Sequence, residues 1–210
     1  MALDHQEHEQ VEALKGWWNN NGNLVLLVVS AAAIAIAVWR GWDWYQRSQA
    51  LQASALYEVL IRASEAGDAK TLRDAGGELA EKYPRTLYAS MAALVSARFY
   101  FDRHDNKSAK AQLQWVLDRS SSDNFVDIAR LRLAAVLLDD KSYAEALKLL
   151  EAPHPPSYDA QYAALKGDIL AAQHQTVAAR AAYQLALEKA DKREGAFRAS
   201  VRMRLEALGG

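Results

Sequence analysis

The chain has 210 residues, with 25 Lys and Arg against 26 Asp and Glu, a net charge of −1 and no cysteine. A balance this near neutral, with no basic run, gives no bulk electrostatic case for nucleic acid or an anionic membrane surface. The absence of Cys excludes disulfides, thiolate metal sites and a cysteine nucleophile, and is compatible with cytoplasm and periplasm alike.

Residues 1–21 read as a short N-terminal tail in which Asp4, Glu7, Glu9 and Glu12 outnumber Lys15. Residues 22–44 read as a transmembrane helix. From Gly16 to Trp39 no residue is charged, and Leu24 to Val38 is apolar except for Ser30. As a helix, Trp18 to Trp42 covers roughly 36 Å, enough for a bilayer core of about 30 Å. Five of the six tryptophans flank this run. Trp17 and Trp18 fall at one membrane–water interface, and Trp39, Trp42, Trp44 and Tyr45 at the other, where amphipathic rings are most stable. Ala33-Ile34-Ala35 and Ala35-Ile36-Ala37 resemble signal-peptidase sites. A signal peptide has a short basic lead, however, and the long acidic one here favours an uncleaved anchor. Lys15 on one side and Arg40 plus Arg47 on the other are nearly balanced, so charge leaves the orientation open. Ala31/Ala35 and Ala33/Ala37 are small-x-x-x-small pairs that suit either a partner helix or lipid.

Residues 45–210 read as helix after helix. Pro occurs only at 84, 153, 155 and 156, and apolar residues recur at three and four, as in Ala93, Leu94, Ala97, Phe101 and in Ile128, Leu131, Ala135, Leu138. Turn signals such as EAGDAK, KYPRT, RHDNKS, RSSSDN, DDKS, EAPHPPS and AQHQ separate short helices, which indicates antiparallel hairpins. Three segments align. Each opens on a small residue (Ala97, Ala134, Gly167), followed by a large one (Tyr100, Leu137, Leu170). After a turn come Ala109, Ala146 and Ala179, then Leu113, Leu150 and Tyr183. This is a tetratricopeptide pattern, in which small residues let paired helices approach and large ones fill the groove between them. A degenerate earlier unit has Gly67 at its turn and Pro84 at its end. Phe197, Val201, Leu205 and Leu208 share one face of a last helix, the cap that a solenoid needs. The fold expected is all-α: one transmembrane helix, then a tetratricopeptide-like solenoid with a C-terminal capping helix.

No catalytic or cofactor motif is present. His5 and His8 have a spacing that suits a metal on a helix, but no further ligands accompany them, so they read as part of a solvated tail. His104 and His174 fall at equivalent turns, and His154 in a proline loop. Gly76-Gly77 lies within a helix and reads as close packing or a kink, and Ser120–Asp123 as a helix cap. No enzyme, cofactor or metal is expected. What remains is binding. In a tetratricopeptide array the first helix of each pair lines the inner face, which places Tyr57, Ile61, Leu94, Arg98, Phe101, Leu131 and Leu138 along a groove. The groove is either open to an apolar segment of a partner or covered by the domain's own helices. The Lys/Asn set with which some such proteins clamp a C-terminal carboxylate is missing.

The segments EQVEALKGWWNNNG (9–22), WRGWDWYQ (39–46), YPRTLYASMAAL (83–94) and VRMRLEAL (201–208) resemble the YfgM-like family, the ancillary SecYEG translocon subunit of Gram-negative bacteria. The resemblance runs nearly end to end. Met1–His8 match nothing in the family and are expected to be disordered. The resemblance implies a single-pass inner-membrane protein with a cytoplasmic N-terminus and a periplasmic repeat domain. It also implies partners, the SecYEG translocon and a PpiD-type membrane-anchored chaperone, and no catalytic residues. The expected function is a non-catalytic scaffold that helps hand emerging proteins to periplasmic chaperones. The alternative is a tethered adaptor that organises another envelope complex, with the cytoplasmic side left open for its domain.

Overall fold

The computed structural model describes the backbone of residues 2–120 and 122–209, and side chains from Lys15 onward within that range. The described residues contain no strand. The helices are α1 (Ala2–Ala66), α2 (Ala69–Lys82), α3 (Leu87–Phe101), α4 (Asn106–Arg119) and α5 (Asp123–Asp139), followed by the short α6 (Tyr143–Leu149). A 3-10 turn (Pro156–Tyr158) leads to α7 (Asp159–Ala172), α8 (Thr176–Lys189) and α9 (Gly195–Ala207).

Two compact units divide inside α1, Met1–Gln49 and Ala50–Gly210. No break in the helix marks residue 44, where the sequence places the end of the span. The tail, expected to be disordered over Met1–His8, is helical from Ala2 onward. The side chains of His5 and His8 lie outside the described residues. In the first unit Leu24, Leu26, Leu27, Val29, Ile34 and Ile36 are all more than half exposed. Apolar surface left uncovered on all sides of a helix suits lipid, and α1 is long and apolar enough to cross a membrane.

The second unit is built on one turn used four times. Gly67, His104, Lys141 and His174 have φ of 77°, 59°, 61° and 62°. In each case the amide of that residue donates to the carbonyl three back, and the next amide to the carbonyl five back. At the second turn these bonds are His104 N to Phe101 O (2.9 Å) and Asp105 N to Tyr100 O (3.0 Å). This double closure satisfies the last carbonyls of one helix and starts the next within two residues. Glycine adopts the left-handed conformation freely, whereas His104, Lys141 and His174 adopt it against a Cβ clash. The carboxylates of Asp68 and Asp105 then cap the following helices. Asp68 accepts from Lys70 N and Thr71 N at 3.0 and 3.1 Å, and Asp105 accepts from Ser108 N at 3.0 Å. At the start of α5, Ser122 is the N-cap residue without a side-chain bond, and Ser120 Oγ accepts from its amide instead.

The small residues of the aligned segments are buried where paired helices meet: Ala97, Ala109, Ala134, Ala146 and Ala179 are at most 2% exposed. Gly167 marks the closest approach, since a Cβ there would stand 2.5 Å from the Tyr183 ring. Gly76 sits within α2 at ordinary contact distance from Leu60 and Ser96, which is close packing. Val201 of α9 is fully buried, with Phe197, Leu205 and Leu208 packed around it, so α9 closes the array as a cap. Arg198 Nη1 donates to Leu187 O and Ala190 O at the end of α8, at 2.6 and 2.9 Å. Arg204 pairs with Asp168 at 2.7 Å. The proline loop before α7 is held by His154, whose ring stacks on Tyr162 at 3.8 Å.

Candidate functional site

The first helices of successive hairpins pack side by side, and between α3 and α5 they leave a cavity of about 320 Å³. Its floor is Leu113 of α4 and Val136 of α5, both nearly fully buried. Ala97 and Phe101 of α3 and Ala135 of α5 form apolar walls, and Arg98, Asp102 and Arg132 form the polar rim. The alanines make the space: at these positions the helices present methyl groups where larger side chains would fill the gap.

The charges in the rim are unequal in their satisfaction. Arg98 Nε reaches both carboxylate oxygens of Asp102 at 2.7 Å, one turn along the same helix. Among the described residues Arg132 has no such partner. Its Nη1 donates to the backbone carbonyl of Leu94 at 3.3 Å, against the side of α3. Burial of that guanidinium, and then the like charge of Arg98, pull its pKa below the usual arginine range. The residue as a whole is exposed, so the desolvation of its guanidinium is partial.

Of the seven residues assigned to a groove from the sequence, the cavity brings together Arg98 and Phe101. Leu94 is 6% exposed, so its side chain belongs to the core, and only its carbonyl bears on the site. Tyr57 and Ile61 are half-buried on α1 and pack against the core, with the Tyr57 ring 5.8 Å from Tyr88. Burial raises the Tyr57 pKa. Leu131 and Leu138 are half-buried on α5, and Leu138 leans on the core. Nothing in the sequence singles out Arg132 or Asp102. Ala135 lay within the recognised α5 stripe, but Arg132 looks like any charged helical residue until α3 is placed beside it. Trp17, Trp18, Trp39, Trp42, Trp44 and Tyr45 are all about half exposed or more, on either side of the apolar run of α1. Among the described residues no three His, Cys, Asp or Glu side chains converge as a metal site.

A helix fit for a bilayer, stacked hairpins with a closed end, and a partly apolar cavity on their shared face define a helical-repeat protein. The chain belongs to the tetratricopeptide repeat-like domain family, whose pattern matches residues 15–210. It is 29% identical to the ancillary SecYEG translocon subunit of Haemophilus influenzae, over 92% of this chain and 95% of that one. It is 30% identical to the Escherichia coli protein of the same name, over 88% of both chains. The likeness to the Neisseria gonorrhoeae protein, also so named, is 27% over 99% of this chain and all of the other.

Proposed function

We propose that this protein is a membrane-anchored, non-catalytic scaffold of the SecYEG translocon. The observation that carries the proposal is that relatives named as ancillary translocon subunits align across the apolar helix and the repeat domain alike. The anchor is a single pass through the inner membrane, with the N-terminus in the cytoplasm and the repeat domain in the periplasm. The domain helps hand emerging chains to a PpiD-type membrane-anchored chaperone. Its mechanism is tethering. Confinement near the partner raises the effective concentration to roughly the millimolar scale for a short connection, so weak contacts at the cavity suffice.

Protease accessibility of a tag placed after Gly210 tests the topology. Digestion in intact spheroplasts is the expected result. Protection until lysis would put the domain in the cytoplasm, and an adaptor for another envelope complex would then replace this reading. Phe101→Asp is the variant for the docking face and should abolish co-purification with the translocon. Leu94→Asp does not serve, because it places a charge in the core and tests folding.

A further inference from the structure

We infer that the α3–α5 cavity takes a carboxylate-bearing side chain of a partner protein together with a neighbouring bulky apolar side chain. The inference deepens the proposed docking role and rests on it. The argument starts from Arg132. Its guanidinium carries five donors and is partly desolvated against α3, yet among the described residues it bonds to a single carbonyl oxygen. The charged group acting on it is Arg98, of the same sign. Among the described residues this cation makes no ion pair, and an arriving carboxylate would meet both its charge and its fork of donors.

Asp102 shows the chemistry that the rim accepts. Its carboxylate lies against Arg98, so a second carboxylate seated between Arg98 and Arg132 meets two guanidiniums and one acid, a rim of net positive charge. Below the rim the surface is apolar: Ala97, Phe101, Leu113, Ala135 and Val136. A volume of about 320 Å³ holds one or two side chains, not a folded element. Charge above and apolar surface below select a segment in which an acidic residue stands beside a large aliphatic or aromatic one. This mode differs from a C-terminal carboxylate clamp, since the anion is a side chain and the donors are arginines on two successive first helices.

The test uses the full chain in detergent micelles and two fluorescein-labelled twelve-residue peptides. One alternates Glu with Leu and Phe, and the other has every Glu replaced by Gln. Anisotropy titrations should show the acidic peptide binding on the order of tenfold or more tightly, as a charge-assisted pair implies. Raising NaCl from low to high concentration should weaken it. Arg132→Gln should erase the preference, and Arg132→Lys should restore part of it with the fold intact. Ala135→Trp, which fills the cavity, should abolish binding of both peptides. If both peptides bind equally and Ala135→Trp removes both, the docking site stands and the carboxylate inference falls. If neither binds, or Ala135→Trp changes nothing, both fall. Phosphatidylglycerol vesicles that displace the acidic peptide with the same dependence on Arg132 would assign the site to a lipid phosphate and overturn the protein-segment reading.

Discussion

Gly167→Ala tests the helix contact on which the last hairpin depends. Position 167 holds alanine in the two preceding repeats, at Ala97 and Ala134, so the change looks conservative in sequence. In space it is not. The new Cβ would lie 2.5 Å from Cδ1 and Cε1 of Tyr183 and 3.1 Å from Cγ. The ring cannot step aside: it is 3% exposed, and its hydroxyl donates to Asp168 Oδ1 at 2.8 Å, which in turn is held by Arg204. Burial, then that hydrogen bond, push the Tyr183 pKa well up. Forcing α7 and α8 apart costs about 3 kcal/mol, at the upper end for overpacking. Replacing glycine within a helix returns about 1 kcal/mol. The net loss is about 2 kcal/mol, or roughly 4–8 °C in Tm for a domain of this size. Tyr183→Leu supplies the residue found at Leu113 and Leu150. In that background Gly167→Ala should gain about 1 kcal/mol, which gives a coupling of about 3 kcal/mol between the two sites. Urea denaturation followed by far-UV circular dichroism measures all four proteins. A neutral or stabilising Gly167→Ala in the Tyr183 background refutes the close-approach argument.

Three more predictions rest on other parts of the repeat domain. Asp127 is 3% exposed and pairs with Arg130 at 2.6 Å, so Asp127→Ala leaves a half-buried guanidinium with only the neutral acceptors Tyr162 Oη and Pro153 O and should cost about 3 kcal/mol. Asp127→Leu with Arg130→Met should lie closer to the wild type, and equal losses in the two variants would contradict that. Thr71 donates to Asp68 and Ser108 to Asp105, and these bonds hold both carboxyls below the usual carboxylate range. A folded-state pKa depressed in this way adds stability above the ordinary carboxylate pKa and loses it as pH falls toward the folded value. Asp68→Asn with Asp105→Asn should therefore flatten the acid limb of a Tm–pH profile, and an unchanged limb would count against the cap bonds. Arg198→Ala removes the donor from Leu187 O and Ala190 O, so hydrogen exchange in α9 should accelerate before exchange in α7 or α8. Uniform protection across the three helices would mean that the apolar face of α9 holds the cap alone.

Much of this protein is local in origin and is therefore legible along the chain. Hydropathy and the flanking tryptophans depend on neighbours within one helix, so the apolar span declares itself. The repeat follows from spacing: a small residue, a large one and a turn recur, and the four left-handed turns at Gly67, His104, Lys141 and His174 fall at matching places. The face of α9 is likewise a matter of period. What the chain order does not carry is which of two adjacent helical positions ends inside. Leu94 and Arg98 stand one turn apart on α3, yet the first is core and the second is rim, because the neighbouring helices cover one side of α3 and leave the other open. Arg132 acquires its meaning only when α5 is set beside α3, which puts its guanidinium against the Leu94 carbonyl and near Arg98 across a gap of 34 residues in sequence. Gly167 differs from its counterparts by one methyl group, and only the packed position of Tyr183 makes that methyl a clash. Periodicity and composition act over one helix and so determined the architecture. Burial and charge compensation act between helices and were decided by their packing.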